Sequence, residues 1–373
     1  MLKGLQLTIL AGPVVPVPLP SLFIDALESV SAQTGNAHGF ELKFILDRRS
    51  PLPTLLTVSG ANLPDFRVIL IVTLRGMPHV IADGIVTHHQ VDTSQSQPRL
   101  IIQGVGITAA MDRDDRTDLI QYMGLPPTER VRAIFLKYLR FGLIPAVFPS
   151  IGNFIPDPLS MSPVHRGTDL GYVRRLAEDV GNDFYILPGP VPGTNLAYWG
   201  PKIRLGQPQP PLNADMDVHR NVESITFQVD TEQHEQPVVH IQEPFTKLSI
   251  PIPIPGFNPL TPPMGAVRPA ARRQTRVEGS AKMSFVQALS KGFSQASRAQ
   301  ETVSARGSLN VLRYGTVLKA KGLVSVRGST HPYDGLYFVE QVTHSLERGK
   351  YTQSFQLIRD GLVSTVPLAP MAS

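Results

Sequence analysis

HPYDGLYFVEQVTHSLERGKYTQSFQLIRDG, residues 331–361, is the stretch that decides how the rest of the chain is read. His331-Pro332-Tyr333-Asp334-Gly335 is a turn, because Pro presets one backbone angle and Asp-Gly supplies a residue tolerant of positive φ. Residues 336–344 are rich in aromatic and β-branched side chains, the composition of a strand. Glu347-Arg348-Gly349-Lys350 is a polar, glycine-containing reversal. Beyond it Tyr351, Gln353, Phe355 and Leu357 alternate with Thr352, Ser354 and Gln356, the period of a strand with two different faces. The stretch predicts a β-hairpin.

The order of these features carries a resemblance. Tyr333, Asp334, Gly335, Tyr337, Val339, Val342 and His344 spell Y-D-G-x-Y-x-V-x-x-V-x-H, and Tyr351, Thr352, Phe355, Leu357 and Arg359 spell Y-T-x-x-F-x-L-x-R. The pair resembles the C-terminal end of the baseplate hub family: phage late-control D proteins, contractile-tail hubs and the hub part of type VI spike proteins. A second segment points the same way. Thr168 can cap a helix whose apolar face is Leu170, Val173, Leu176, Ala177 and Val180, with Gly181 ending it and a strand starting at Phe184. Asp169, Leu176, Ala177, Glu178 and Gly181 match the family's helix D-x-x-F-L-x-x-L-A-E-x-x-G, with Tyr172 where Phe often stands. Residues 312–322 (LRYGTVLKAKG) resemble the family strand that precedes the terminal hairpin.

Outward from these anchors the chain alternates in character. Residues 21–31 predict a short helix, with Ser21 as cap and Leu22, Ala26 and Val30 at helical spacing. Four strands are expected at 40–47, 67–74, 80–90 and 99–104, forming a small antiparallel sheet or barrel. Helices are expected at 118–123 and 127–142, the latter with Val131, Phe135, Tyr138 and Leu139 on one face. Strands return at 223–230 and 238–242, and Ile225-x-Phe227-x-Val229-Asp230 faintly echoes Leu42-x-Phe44-x-Leu46-Asp47. Residues 244–280 read as a Pro-rich connector with a basic end (Arg268, Arg272, Arg273, Arg276), a soluble linker by preference, with contact to phosphate or to an acidic partner as the alternative. A helix over 280–300 with Phe285, Ala288, Leu289 and Ala296 on one side follows. A strand pair over 307–326, turning at Tyr314-Gly315, comes next.

Composition narrows the class. The chain has 373 residues, 42% of them hydrophobic, which is globular rather than disordered. Its 35 prolines are about twice the usual share and argue against an all-helical fold. It has no cysteine, so disulfide frameworks and thiolate metal sites are excluded. The net charge of +5 is too mild to indicate sequence recognition of nucleic acid. No apolar run reaches the ~20 residues of a membrane helix. The N-terminal apolar stretch is too short and too soon followed by Pro13, Pro16 and Pro18 for a signal peptide.

Motifs of catalysis are scarce. Gly104-Val105-Gly106-Ile107-Thr108-Ala109 matches G-x-G-x-x-A, but a dinucleotide site needs a βαβ unit, and the preceding pattern is antiparallel. His88 and His89 are adjacent and so face opposite sides of a strand, His234 and His240 flank a Pro-containing turn, and no H-E-x-x-H spacing exists. Asp112, Asp114 and Asp115 read as a solvated turn rather than a glycosidase pair. There is no G-x-S-x-G elbow. Catalytic, cofactor and metal residues are therefore assigned as none.

The expected fold is α+β and mainly β: two tube-like antiparallel β-barrel domains with an intervening helix-containing α/β region. The expected boundaries are 1–111, 112–195 and 196–363, the last including the 244–280 connector, with a tail over 364–373. What the resemblance implies is a structural, non-enzymatic baseplate hub of a contractile injection system or phage tail. It would be a homotrimer joining a sixfold tail tube to a threefold spike, contacting other baseplate proteins, made in the bacterial cytoplasm and carried in the particle. In the spike proteins an oligonucleotide-binding barrel and a needle follow the hub; none follows here, so a separate spike protein is the expected partner. The alternative is a phage-associated cell-wall hydrolase or wall-binding β protein. A carbohydrate-binding module is disfavoured by the single tryptophan, Trp199.

Overall fold

The computed structural model describes residues 4–13, 15–47, 65–94, 96–149, 153, 155, 163–215, 219–230, 235–242, 248–254, 261–268, 270–277 and 285–365. About half of these residues are in strands, and the strands are mostly antiparallel. In the first third, β1 (Leu5–Gly12), β2 (Val17–Pro18), a single helical turn α1 (Ser21–Asp25), β3 (Leu27–Thr34), β4 (Gly39–Ile45), β5 (Arg67–Leu74), β6 (Met77–Asp92) and β7 (Arg99–Gly106) follow one another. The expected strands at 40–47, 67–74, 80–90 and 99–104 are all present. The expected helix at 21–31 is not: it stops at Asp25 and β3 takes over. Val30, Ala32 and Thr34 are buried at a period of two, and β3 is hydrogen-bonded on both sides, so tertiary pairing overrides the weaker helical spacing.

The central stretch holds α2 (Thr108–Met111), α3 (Pro127–Leu136), β8 (Leu143–Val147), α4 (Asp169–Val180), β9 (Asp183–Pro188) and β10 (Asn195–Gly200). No helix forms over 118–123. Asp118 has φ 60, which a helix interior does not admit, and Gln121 bridges to Val164 instead. The expected 127–142 helix ends at Leu136, and a 3-10 turn at Leu139–Phe141 follows, closed by left-handed Gly142. Helix α4 appears with both predicted ends: the Thr168 hydroxyl accepts from the Gly171 N–H at 3.1 Å, and Gly181 is left-handed at φ 74. Strand β10 lies between β8, to which it is parallel, and β9, to which it is antiparallel. A core of Val131, Ile134, Phe135, Leu143, Val173 and Trp199 binds these helices to the small sheet.

The last part brings β11 (Gln209–Asn213), β12 (Val222–Val229), β13 (Glu235–Gln242), β14 (Ser249–Pro253), β15 (Gly265–Val267), β16 (Arg273–Arg276), α5 (Phe285–Ala299), β17 (Val303–Asn310), α6 (Val311–Tyr314), β18 (Leu323–Arg327), β19 (Gly335–Glu347), β20 (Lys350–Arg359) and β21 (Leu362–Ser364). The terminal hairpin is β19–β20, with Glu347 opposite Lys350 as predicted. The strand pair expected over 307–326 is not a hairpin. Strand β17 pairs with β12 and β20, whereas β18 pairs with β11 and β19. The Asn310 side chain caps α6 by accepting from the Leu312 and Arg313 N–H groups, and that turn of helix ends at left-handed Gly315, carrying the chain between the two positions.

Instead of two separate barrels, a 13-stranded sheet runs in the order β12-β17-β20-β19-β3-β4-β7-β6-β5-β1-β2, with β18 and β11 branching from β19. These pairings close no barrel among the described residues. The seam is β3 against β19, where Thr34 lies opposite Val342 and Val30 opposite Leu346. One apolar core crosses it, from Ile9, Leu42 and Leu70 to Val339, Phe355 and Leu357. The echoed segments are not equivalent: β4 is interior to the sheet and β12 is its edge.

Candidate functional site

The hairpin motif residues sit together, and they turn inward. Arg359 is fully buried. Its Nε donates to Gly361 O at 2.6 Å, Nη1 to Asp334 O at 3.0 Å and Nη2 to Pro332 O at 2.7 Å. Its guanidinium lies 4.5 Å from the centre of the Tyr337 ring, whose hydroxyl donates to Tyr333 O at 2.7 Å. Burial draws the Arg359 pKa down from its ordinary value. The Asp334 carboxylate accepts from the N–H groups of Gly328 and Ser329 and from the Ser329 hydroxyl, which fixes the turn. Gly335 has φ 128, and a Cβ there would collide with Ser364.

A second buried cluster lies further along the same two strands. His344 Nδ1 is 2.8 Å from the Tyr351 hydroxyl and 3.4 Å from Gln353 Nε2. Gln353, fully buried, exchanges hydrogen bonds with the Leu318 N–H and C=O, both at 2.9 Å. Burial pushes the His344 pKa down to about 3 and the Tyr351 pKa upward. The Phe355 ring packs over Gly307 of β17. Each of these groups consolidates the hairpin; none is presented to solvent.

The α4 residues behave alike. Asp169 is 1% exposed and accepts from the Tyr138 hydroxyl at 2.8 Å and Lys137 Nζ at 3.2 Å, with Arg116 Nε and His165 Nε2 each 3.5 Å away. His165 Nδ1 meets the Tyr122 hydroxyl at 2.9 Å, and its ring stacks 4.4 Å from that of Tyr172. Burial lowers the His165 pKa although Asp169 opposes it. The carboxylate anchors the first turn of α4 and ties it to α3, a structural task. Leu176 packs against the central core and Ala177 is buried within it. Gly181 abuts α5: a Cβ would strike the Ser290 carbonyl, and the Ser290 hydroxyl donates to Val180 O at 2.5 Å.

Sequence reasoning missed one buried centre. Arg67 makes a two-pronged ion pair with Asp83 (2.7 and 2.6 Å) and also donates to Phe141 O and Gly193 O, while Asn195 Nδ2 donates to Asp83 at 2.9 Å. This clamp fastens β5 and β6 to the central region. The available signal was a charged residue inside an apolar run, Asp83 in IADGIV.

The remaining candidates are dispersed. Strand β7, which carries the glycine motif into α2, has only antiparallel neighbours, so Gly104-Val105-Gly106 opens no βαβ unit. Asp112 accepts from the Thr168 hydroxyl, Asp115 caps Thr117, and Asp114 lies 3.7 Å from Arg116. His88 and His89 are exposed at a strand irregularity, and His234 lies outside the described residues. Among the described residues no three metal-binding side chains come together. The basic end of the connector is built into structure: Arg268 reaches Asp360 at 3.0 Å and Arg273 pairs with Glu235.

What the surface does present is apolar area on the central region. Leu119, Met123, Leu136, Leu139 and Ile144 are each at least half exposed. A cleft of about 440 Å³ also opens between β1, β3 and the β19–β20 turn, lined by Leu5, Leu7, Leu27, Glu28 and Arg348.

No protein-family model matches the chain, and no curated protein does. Solved structures do. A tail protein from Neisseria meningitidis matches at a TM-score of 0.63 and 13% identity, over 96% of this chain and 98% of that one. The 43 kDa tail protein of prophage MuSo2 from Shewanella oneidensis matches at 0.63 and 11%, over 96% and 99%. The Francisella PdpA-VgrG complex matches at 0.60 and 8%, over 99% of this chain but 55% of that one. The resemblance read from the hairpin and α4 thus holds at the level of fold: this chain is built like phage tail proteins and a VgrG-containing complex.

Proposed function

We propose that this chain is a structural baseplate hub of a phage tail or contractile injection system. Three copies form a ring that carries the sixfold tail tube on one face and a threefold spike on the other. The observation that carries this reading is the end-to-end match in fold to two tail proteins, with 96% of the chain covered in each case. The architecture supports it. Two runs of strands meet at the β3–β19 seam; taken as two lobes, 1–111 and 196–363, they would number six in a ring of three chains. Each lobe serves as a tube-like unit, completed in the ring rather than within one chain. The exposed Leu136 and Leu139 at the end of α3 are the contact surface for neighbouring baseplate proteins. Binding energy and geometry perform the task, with no turnover.

The test is sedimentation of native lysate followed by electron microscopy of the fraction holding this chain. The reading predicts a large tubular particle carrying it at one end in three copies. A small species without partners, found while tubes sediment without it, would overturn the reading. Clearing of peptidoglycan by the purified chain would favour the hydrolase instead.

A further inference from the structure

The 244–280 connector does more than link. Strands β13, β14 and β16 form a three-stranded sheet in the order β14-β13-β16, and α5 lies across one face of it. Val239, Ile254, Val277, Ala288 and Ala296 make the satellite's own small core. Two edges of this sheet meet no described strand, and they differ.

On the β14 edge the Ile254 N–H donates inward to Pro237 O at 2.9 Å. Alternation therefore puts positions 251 and 253 outward, and both are proline. That edge has no N–H to offer at either position, the usual way of blunting a sheet edge. On the β16 edge the Val277 N–H donates inward to Val238 O at 3.0 Å. Thr275 and Arg273 share its direction, so the N–H and C=O groups of Gln274 and Arg276 point outward, where no described strand meets them.

The chemistry around that open edge is one-sided. Arg272, Arg273 and Arg276 are all exposed. Arg273 pairs with Glu235, while Arg272 and Arg276 have no carboxylate partner among the described residues. Gln274 and Arg276 project on the face opposite α5, and Arg273 and Thr275 on the α5 face. A second copy of the same edge would set arginine against arginine, which opposes self-pairing. We propose that β16 is a docking strand for an extended, carboxylate-rich segment of a partner protein. The segment would add a fourth strand through the outward groups of Gln274 and Arg276, with its acidic side chains on the arginines.

The probe is a short fluorescent peptide of alternating Glu and Thr, titrated against the full chain and followed by anisotropy. The proposal expects saturable binding that weakens as salt rises. Gln274→Pro removes an outward N–H while leaving the inward bonds, and should weaken binding about tenfold or more. Arg276→Glu should do the same. The same peptide N-methylated along one edge tests the point on unaltered protein, and it should bind far more weakly than the parent. Absence of saturable binding at low salt would overturn the proposal. So would equal binding of the parent and methylated peptides with sensitivity to Arg276→Glu alone, which would mean charge capture without strand addition. Full displacement by a DNA oligonucleotide whose own binding ignores Gln274→Pro would assign the arginines to nucleic acid and sink it as well.

Discussion

The terminal hairpin and the satellite built on the connector are both β structure in the same half of the chain, yet they solve opposite problems. Strands β19 and β20 lie inside the large sheet, between β17 on one side and β3 and β18 on the other. Their polar motif residues are spent internally: Arg359 on three carbonyls, Asp334 on its own turn, His344 on Tyr351. The satellite has a core of five buried side chains, two edge strands and arginines in solvent. The residues that make this chain recognisable therefore build the fold, and its exposed arginines lie where the pattern is least regular. A motif match in such a protein locates scaffolding first.

The largest effect that separates the two regions is expected from their arginines. Arg359→Ala takes the guanidinium donors from the Gly361 and Asp334 carbonyls, leaves Pro332 O with only the Val363 N–H, and hollows the space over Tyr337. It should cost about 3–5 kcal/mol, enough to shift the urea midpoint far down or to prevent soluble expression. Arg359→Lys should recover only part of this, because an ammonium cannot match the forked donor geometry. Were Arg359→Ala to unfold at the wild-type midpoint, the hairpin would not be what holds this end of the sheet together.

Acid should find the hairpin next. The His344 pKa, about 3, lies below its ordinary value of 6.5, chiefly because burial disfavours the charged ring. The unfolded chain takes up a proton that the folded chain refuses. The corresponding stability is complete above about pH 6.5 and is lost as pH falls toward about 3. At about pH 4.5 the loss should be roughly 2–3 kcal/mol. Urea titrations of wild type and His344→Gln at neutral pH and at about pH 4.5 check this. The variant should be weaker at neutral pH yet lose less on acidification, and parallel losses would remove His344 from the account.

A third effect probes the join between α4 and the satellite. At Gly181, φ 74 and the Ser290 carbonyl leave no room for a Cβ, so Gly181→Ala should cost about 1–3 kcal/mol. Gly349, equally left-handed at φ 82 but in open space at the hairpin turn, should lose less on the same change. Thermal denaturation of both variants makes the comparison, and equal losses would mean that only the backbone conformation matters.

How much of this was legible depended on how local the cause was. The ends of α4 were readable because Thr168 and Gly181 act within a few residues of themselves. The hairpin was readable from its turn and its alternation. The helix expected at 21–31 failed because β3 is paired on both edges, with β4 just after it and with β19 more than 300 residues further along the chain. That same seam, with one core running across it, replaces the two separate barrels expected from the resemblance. Asp118 in the left-handed region and the Arg67–Asp83–Asn195 clamp likewise answer to distant groups. The connector hid its strands behind prolines, although Pro251 and Pro253 sit only where an edge strand tolerates them.

The smallest expected effect is the sharpest contrast with Arg359. Arg272→Ala and Arg276→Ala remove exposed cations with no described carboxylate partner, so each should change stability by no more than about 0.5 kcal/mol. Their urea midpoints should overlay that of wild type while the affinity for the Glu/Thr peptide falls. A stability loss comparable to that of Arg359→Ala would mean these arginines hold the satellite together, and the division between a scaffold that is read and an edge that binds would collapse. Unchanged stability with lowered affinity would place the chain's partner chemistry outside its recognisable motif, on a strand that composition alone had marked as a linker.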